Sequence, residues 1–220
     1  RLTQEHAVYA GMVESMDLAC GKVLENLKKL GLDENTIVFL MSDNGGCSTA
    51  DPGPTSNLPL RAGKGWIYEG GIREPMIIKW PGEAEPGKVC KKPVISTDFY
   101  PTILEMAGLP ARPEQHKDGK SLVPLLKGEN MDRGPIFWHY PHYSPQGCSP
   151  ASAIRENEWK LILWYEDSRK ELFNLREDIG EKNNLADKKP EITERLFNKL
   201  LNWFKEVDAE MPQLNPGYKQ

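Results

Sequence analysis

The stretch "TIVFLMSDNGG", residues 36–46, decides the fold class. Its first six residues are all apolar or β-branched, which predicts a strand buried on both faces, as in a parallel sheet covered by helices. Before it, apolar residues recur at helical spacing up to Leu30, and Gly31 follows as a natural helix stop. A helix, a short loop and a buried strand form one unit of an α/β fold.

The predicted strand delivers an acid and an amide, Asp43 and Asn44, onto two glycines, Gly45 and Gly46. A turn is the simpler interpretation, because Asn-Gly and Gly-Gly are ordinary turn formers. The alternative is a pair of hard oxygen ligands for Ca²⁺ or Mg²⁺ at the carboxyl end of a strand, where α/β proteins place their chemistry. Spacing alone favours the turn.

More α/β elements follow a polar, proline-rich segment. A second strand is predicted at 76–80 and a third at 94–96. Asp98 can cap the next helix, and Gly108 ends it.

The composition of the chain changes after Pro110. Four short strands at hairpin spacing are predicted at 136–140, 151–155, 159–164 and 171–173. A last amphipathic helix carries Ile192, Leu196, Leu200, Trp203, Phe204 and Val207 on one side. We predict an α/β part over residues 1–115, followed over 116–220 by a small antiparallel β-sheet subdomain with a packed C-terminal helix.

Charge and cysteine content exclude several classes of function. The formal net charge is −4 and no basic block occurs, which argues against a nucleic-acid partner. No stretch approaches the roughly 20 apolar residues of a membrane span, and the first residues show no signal-peptide pattern. The cysteines are widely spaced without C-x-x-C, so they indicate neither zinc nor a redox pair, and disulfides remain possible.

Two further stretches could bind an anion or a sugar. In "AGKG" (62–65), glycines on both sides of Lys64 let the ammonium approach an anion, although a mobile surface lysine is the simpler interpretation. In "FWHYPHYS" (137–144), aromatic rings accompany His139 and His142. These side chains could contact a sugar and its sulfate, or they could form a packed corner of the small sheet.

Five blocks in order resemble the C-terminal half of a type I sulfatase, a member of the alkaline phosphatase superfamily. They are "YAGMVESMDLACGKVLENLKKLGLDENTIVFLMSDNGG", "LRAGKGWIYEGGIREPMIIKWPG", "ISTDFYPTILEMAGLP", "SAIRENEWKLILWYED" and "ELFNLREDIGEKNNLAD". The resemblance implies that Asp43 and Asn44 are ligands of a catalytic Ca²⁺ and that Lys64 contacts the sulfate. It makes His139 and His142 candidates for the border of the substrate pocket.

The same resemblance gives Glu69 and Arg73 a structural role, which is to hold the loop that carries Lys64. Attack on sulfur requires a metal that polarises the sulfate oxygens and a lysine that balances their charge.

The chain departs from the family pattern at the nucleophile. Sulfatases attack with a formylglycine made from Cys or Ser in a C/S-x-P-x-R motif, and no such motif occurs here. The nearest approach, "CSPAS" (148–152), has Ser152 where the arginine should stand. We therefore expect the formylglycine to lie in a missing N-terminal half and the present chain to be a fragment that is inactive alone. We also expect the chain to self-associate through the surface that the missing half leaves.

The implied activity is sulfuric ester hydrolysis, with a sulfated small molecule or glycan as the substrate. One alternative is a non-catalytic homologue that binds sulfated glycans, and another is a phosphoesterase of the same superfamily. The family also implies a periplasmic, lysosomal or secreted location.

Overall fold

The computed structural model describes residues 4–49, 53–213 and 215–217. Its helices are α1 (Ala7–Lys29), α2 (Glu69–Ile72), α3 (Phe99–Met106), α4 (Val123–Leu126) and α5 (Pro190–Glu206). Its strands are β1 (Val38–Met41), β2 (Met76–Lys79), β3 (Ile136–Tyr140), β4 (Ala151–Glu156), β5 (Trp159–Trp164) and β6 (Lys170–Asn174).

The chain divides into two compact units that interleave along the sequence. One unit comprises the described parts of Arg1–Met12, Ser42–Pro75 and Pro135–Gln220. We call it the site unit, because every predicted site residue lies in it. The other unit comprises Val13–Met41 and Met76–Gly134.

The second unit holds the two-stranded sheet of β1 and β2, which run antiparallel from Val38 opposite Lys79 to Met41 opposite Met76. The prediction of a parallel sheet is therefore wrong for the described residues, in which β1 pairs with β2 alone. Nor is β1 buried on both faces, since Leu40 and Met41 are 43% and 39% exposed.

The predicted third strand at 94–96 is also wrong, because a short 3₁₀ turn, Ser96–Asp98, begins there. The buried Asp98 carboxylate accepts the N–H of Ile95 at 2.9 Å and that of Lys120 at 2.8 Å. It also pairs with Arg133 at 3.1 Å. Local bonding of this kind competes with a strand ladder, and it replaces the predicted capping of α3 by this side chain.

Helix α1 has no buried residue, although its sequence carries apolar side chains at helical spacing. Val8, Met12, Met16 and Val23 are each more than half exposed. Self-association through such a surface stays a prediction. No helix in the described part of the chain is both long and apolar enough to cross a membrane.

The predicted antiparallel subdomain is confirmed in the site unit. Strands β3, β4, β5 and β6 pair in sequential order, each antiparallel to the next, and α5 packs on the sheet. The alternation of side chains along each strand produces two apolar faces. One face packs on α5 through Ile154, Leu161, Leu163, Leu172, Leu196, Leu200 and Phe204.

The opposite face of this sheet is covered by the segment that follows Lys64. Ile67 and Tyr68 belong to one buried cluster with Ala151, Ala153, Ile162, Trp164 and Phe173. The sheet is therefore covered on both sides, and its second cover positions the loop that carries Lys64.

Glu156, at the end of β4, ties the sheet to α5 through ion pairs with Arg195 and Lys199. Partial burial raises its pKa, but the hydrogen bonds from Lys199 and Arg195 outweigh burial and hold the pKa below the ordinary 4.5. A depressed pKa contributes stability above pH 4.5 that is lost as the pH falls through the folded-state value.

We therefore expect Glu156→Gln to lower the free energy of unfolding by about 1 kcal/mol at pH 7, a modest value because both partners are partly exposed. Denaturant titrations at a series of pH values should show the difference shrinking below pH 4.5. The matched control is Glu206→Gln, an exposed glutamate at the end of α5, which should change stability by less than about 0.5 kcal/mol. An undiminished difference at pH 3 would contradict the ion-pair explanation.

Candidate functional site

The turn that carries Asp43 and Asn44 lies directly against the segment that carries Lys64. Its backbone makes three hydrogen bonds to that segment: Ser42 N–H to the Pro75 carbonyl at 3.3 Å, Gly45 N–H to Gly71 at 3.2 Å, and Lys64 N–H back to the Gly46 carbonyl at 3.1 Å. Residues that the sequence separates by about twenty positions therefore form one site.

Glycine is required where the two segments touch. A Cβ on Gly45 would lie 1.8 Å from the Gly70 carbonyl oxygen, and one on Gly63 would lie 2.3 Å from that of Gly46. Any side chain at either position would push the segments apart. The turn interpretation and the site interpretation of Asp43-Asn44-Gly45-Gly46 are thus compatible.

A side chain that sequence reasoning missed, Asn57, joins the same two segments. Its amide nitrogen is 2.8 Å from the Gly46 carbonyl oxygen, 3.0 Å from that of Ala62 and 3.1 Å from Ser48 Oγ. Asn57 lies in a proline-rich stretch with no periodicity, so only the folded structure reveals this contact.

The side chains of Asp43 and Asn44 make no hydrogen bond or ion pair with any residue in the described ranges. Glu74 lies nearby: burial, and then the charge of Asp43, raise the pKa of its carboxyl group. Glu74 Oε1 is buried and finds no hydrogen-bond partner in the described part of the chain. Hard oxygens left without protein partners suit a cation such as Ca²⁺.

These residues fit only part of a calcium coordination sphere. Ca²⁺ takes about 6–8 oxygen ligands, and no cluster of three or more His, Cys, Asp or Glu side chains that could hold a metal occurs among the described residues. The role of Asp43 and Asn44 as metal ligands stays a prediction.

Lys64 is exposed on this loop. Its backbone N–H, rather than its side chain, fixes its position through the bond to the Gly46 carbonyl. Across the described ranges its ammonium group makes no hydrogen bond or ion pair. It is therefore available to an anion from outside the chain.

A buried set of charges lies under the Lys64 loop. Lys160 is fully buried, and its Nζ is 3.1 Å from Glu69 Oε1 and 2.8 Å from Glu181 Oε1. The contact with Glu181 is an ion pair without the geometry of a directed hydrogen bond. Glu181 Oε2 also accepts the backbone N–H of Glu69 at 2.6 Å, which fixes the start of α2.

Three arginines surround this set. Arg155 Nη1 is 3.3 Å from Glu69 Oε2, and the more exposed Arg73 is 3.9 Å from the same oxygen. Arg61, three residues before Lys64, donates to the Glu181 carbonyl at 2.7 Å. Burial raises the pKa of Glu181 despite the attraction of Lys160, and burial lowers the pKa of Arg155. These contacts agree with the structural role expected of Glu69 and Arg73.

The two candidate histidines have different surroundings. His139 Nδ1 is 2.8 Å from Ser152 Oγ and 3.0 Å from Tyr165 Oη, and its Nε2 is 2.9 Å from the Glu210 carbonyl. With both nitrogens occupied, His139 fits the packed-corner alternative better than a substrate contact. His142 is exposed and packs edge-on against Tyr140.

Comparisons with known proteins place the whole chain among the sulfatases. The family described as "N-sulphoglucosamine sulphohydrolase, C-terminal" matches residues 62–207, and the family "Sulfatase" matches residues 1–109. A sulfatase of Formosa agariphila is 40% identical over 221 residues, which cover 90% of this chain and 39% of the relative. The N-acetylgalactosamine-6-sulfatase of Mus musculus is 34% identical over 180 residues, covering 81% of this chain and 33% of the relative.

Comparison with solved structures also identifies sulfatases. Ps i-CgsB in complex with k-i-k-neocarrahexaose superimposes with a TM-score of 0.81 and 33% identity, covering 96% of this chain and 45% of that one. A structure in complex with its substrate D-glucosamine-2-N,6-O-disulfate has a TM-score of 0.75 and 25% identity, covering 91% of this chain and 40% of that one. The phosphonate monoester hydrolase of Agrobacterium radiobacter, at 22% identity, shares the fold alone.

The chain spans less than half the length of these relatives. Both family matches, and the agreement of fold over nearly all of its length, identify it. The chain belongs to the sulfatase family of the alkaline phosphatase superfamily and corresponds to the C-terminal portion of such a protein.

Proposed function

We propose that the whole protein hydrolyses sulfate esters of a carbohydrate, and that these residues supply part of its active site. The observation that carries the proposal is the backbone-fixed approach of Lys64 to the Asp43–Asn44 turn. Relatives named for N-acetylgalactosamine-6-sulfate and a neighbour bound to a disulfated glucosamine support the choice of substrate class.

Each residue then has a separate task. Lys64 places a compact positive charge where the sulfate group sits, and it balances the charge that develops on the sulfate oxygens. Asp43 and Asn44 would hold Ca²⁺ as two of its oxygen ligands. When bound, the metal polarises the sulfate oxygens.

The nucleophile of the proposal, a formylglycine, lies outside these 220 residues. The proposal therefore includes two expectations: the isolated chain releases no sulfate, and the whole protein has the exported location that the family implies.

The test uses the whole protein, produced with a formylglycine-generating enzyme and assayed in the presence of Ca²⁺. An aryl sulfate should be hydrolysed in clear preference to the matching aryl phosphate, and the isolated 220-residue chain should hydrolyse neither. Preference for the phosphate would favour a phosphoesterase of the superfamily. Binding of sulfated glycans without turnover would favour the non-catalytic alternative.

A further inference from the structure

The carbonyl group of Ala62 lies two residues before Lys64 and is bound by two side chains from earlier in the chain. Asn57 Nδ2 donates to its oxygen at 3.0 Å, and Ser48 Oγ donates to the same oxygen at 2.8 Å. A carbonyl oxygen has two lone pairs, so these two bonds use its full accepting capacity. Side chains, rather than a helix or a strand, therefore set the position of this peptide group.

Ala62 has a backbone conformation that alanine does not favour. Its φ is 58°, in the left-handed region, where the Cβ atom is crowded by the backbone. A residue other than glycine persists in such a conformation when the contacts around it over-determine the backbone. The hydrogen bonds from Asn57 and Ser48 are two such contacts. They hold the chain in the conformation that presents Lys64.

Asn57 also bonds to the turn that ends at Gly46. The same Nδ2 atom is 2.8 Å from the Gly46 carbonyl oxygen, which accepts the Lys64 N–H as well, and 3.1 Å from Ser48 Oγ. A Cβ on Gly63 would lie 2.6 Å from Asn57 Nδ2, so the amide fills the space between the two segments. One side chain thus ties the Lys64 loop to the turn of the predicted metal ligands.

We propose that Asn57 is a positioning residue for sulfate ester hydrolysis, because its amide fixes Lys64 relative to Asp43 and Asn44. This inference rests on the proposed function, in which Lys64 meets the sulfate group. Within the described ranges, the Asn57 side chain donates only to oxygens of this chain, so it acts through the Lys64 loop. A charge fixed in advance stabilises a transition state without reorganisation. Without the amide donor, the loop relaxes around Ala62 and the ammonium group is misplaced.

The kinetic test uses the whole protein and the aryl sulfate assay. Asn57→Ala should lower kcat about 10–100-fold and change KM by less than about threefold, since a misplacement of about 1 Å is enough for a loss of that size. Asn57→Leu keeps the bulk of the side chain without a donor and should show the same loss. The matched control is Asn198→Ala, an exposed asparagine on α5, which should keep the parent kcat.

A double variant separates positioning from a general structural role. If Asn57 acts through Lys64, then Asn57→Ala should cost less than about twofold in kcat when Lys64 is already alanine. An undiminished loss in that background would overturn the proposal, because a damaged fold would impair any remaining turnover. A parent-like kcat of Asn57→Ala or of Asn57→Leu would also overturn it.

Amide hydrogen exchange gives a readout that does not need turnover. Peptides covering residues 60–66 should exchange at least about fivefold faster in Asn57→Ala than in the parent, while peptides covering β5 should be unchanged. Unchanged exchange over residues 60–66 would overturn the proposal. If the parent itself hydrolyses no aryl sulfate, the proposed function fails, and hydrogen exchange still decides whether Asn57 fixes the loop.

Discussion

Replacing Lys160 with methionine is expected to lower the free energy of unfolding by about 3–5 kcal/mol, the cost of removing one partner from a buried ion pair. Methionine keeps most of the aliphatic stem but leaves Glu69 and Glu181 facing each other without the ammonium group. Thermal and denaturant unfolding of the parent and the variant would measure the loss.

The loss should depend on pH in a defined direction. The pKa of Glu181 is already raised by burial, and removing Lys160 raises it further. A raised pKa means that the folded state keeps a proton which the unfolded state releases, so stability falls as the pH rises above 4.5. We expect a larger deficit at pH 8 than at pH 5, and partial recovery in the double variant Lys160→Met with Glu181→Gln.

The matched control is Lys170→Met. Its ammonium forms a partly exposed ion pair with Glu194 at 2.8 Å, so its loss should cost at most about 1 kcal/mol. Equal effects of the two substitutions, or a deficit independent of pH, would contradict a buried charge cluster that holds the Lys64 loop.

The sequence predicts some elements well because their signals are local. Strand β5 is predicted and observed at Trp159–Trp164. Helix α5 carries its apolar stripe where the period of 3.6 places it, except that Val207 follows the end of the helix and is 43% exposed. The pairing of β1 is not local. An apolar run indicates a strand that can be covered on both faces, but it does not say which strand lies beside it or in which direction.

Lys160 shows why the interior of the site unit escapes sequence reasoning. A lysine in a strand is ordinarily exposed. The two partners that make its burial tolerable are distant in sequence, Glu69 by 91 positions and Glu181 in a later loop with no periodic signal. By contrast, the glycines around Lys64 and after Asn44 are visible in the sequence, and close backbone approach is what they provide.

Replacing Lys64 with alanine in the whole protein is expected to lower kcat/KM for an aryl sulfate by about 10²–10³-fold, the usual effect of removing one group that stabilises charge in the transition state. Stability should not change, because the ammonium group is exposed and the loop is held by the Lys64 backbone N–H, which alanine keeps.

Two variants sharpen this second result. Lys64→Arg should recover only part of the rate, since a planar guanidinium does not replace a compact point charge held between glycines. Lys205→Ala, an exposed lysine in the last turn of α5, is the matched control and should keep the parent kcat/KM. A kcat/KM of Lys64→Ala within about twofold of the parent value would contradict the proposed contact between Lys64 and the sulfate. The proposed chemistry would then need another cation to balance the charge that develops on the sulfate oxygens.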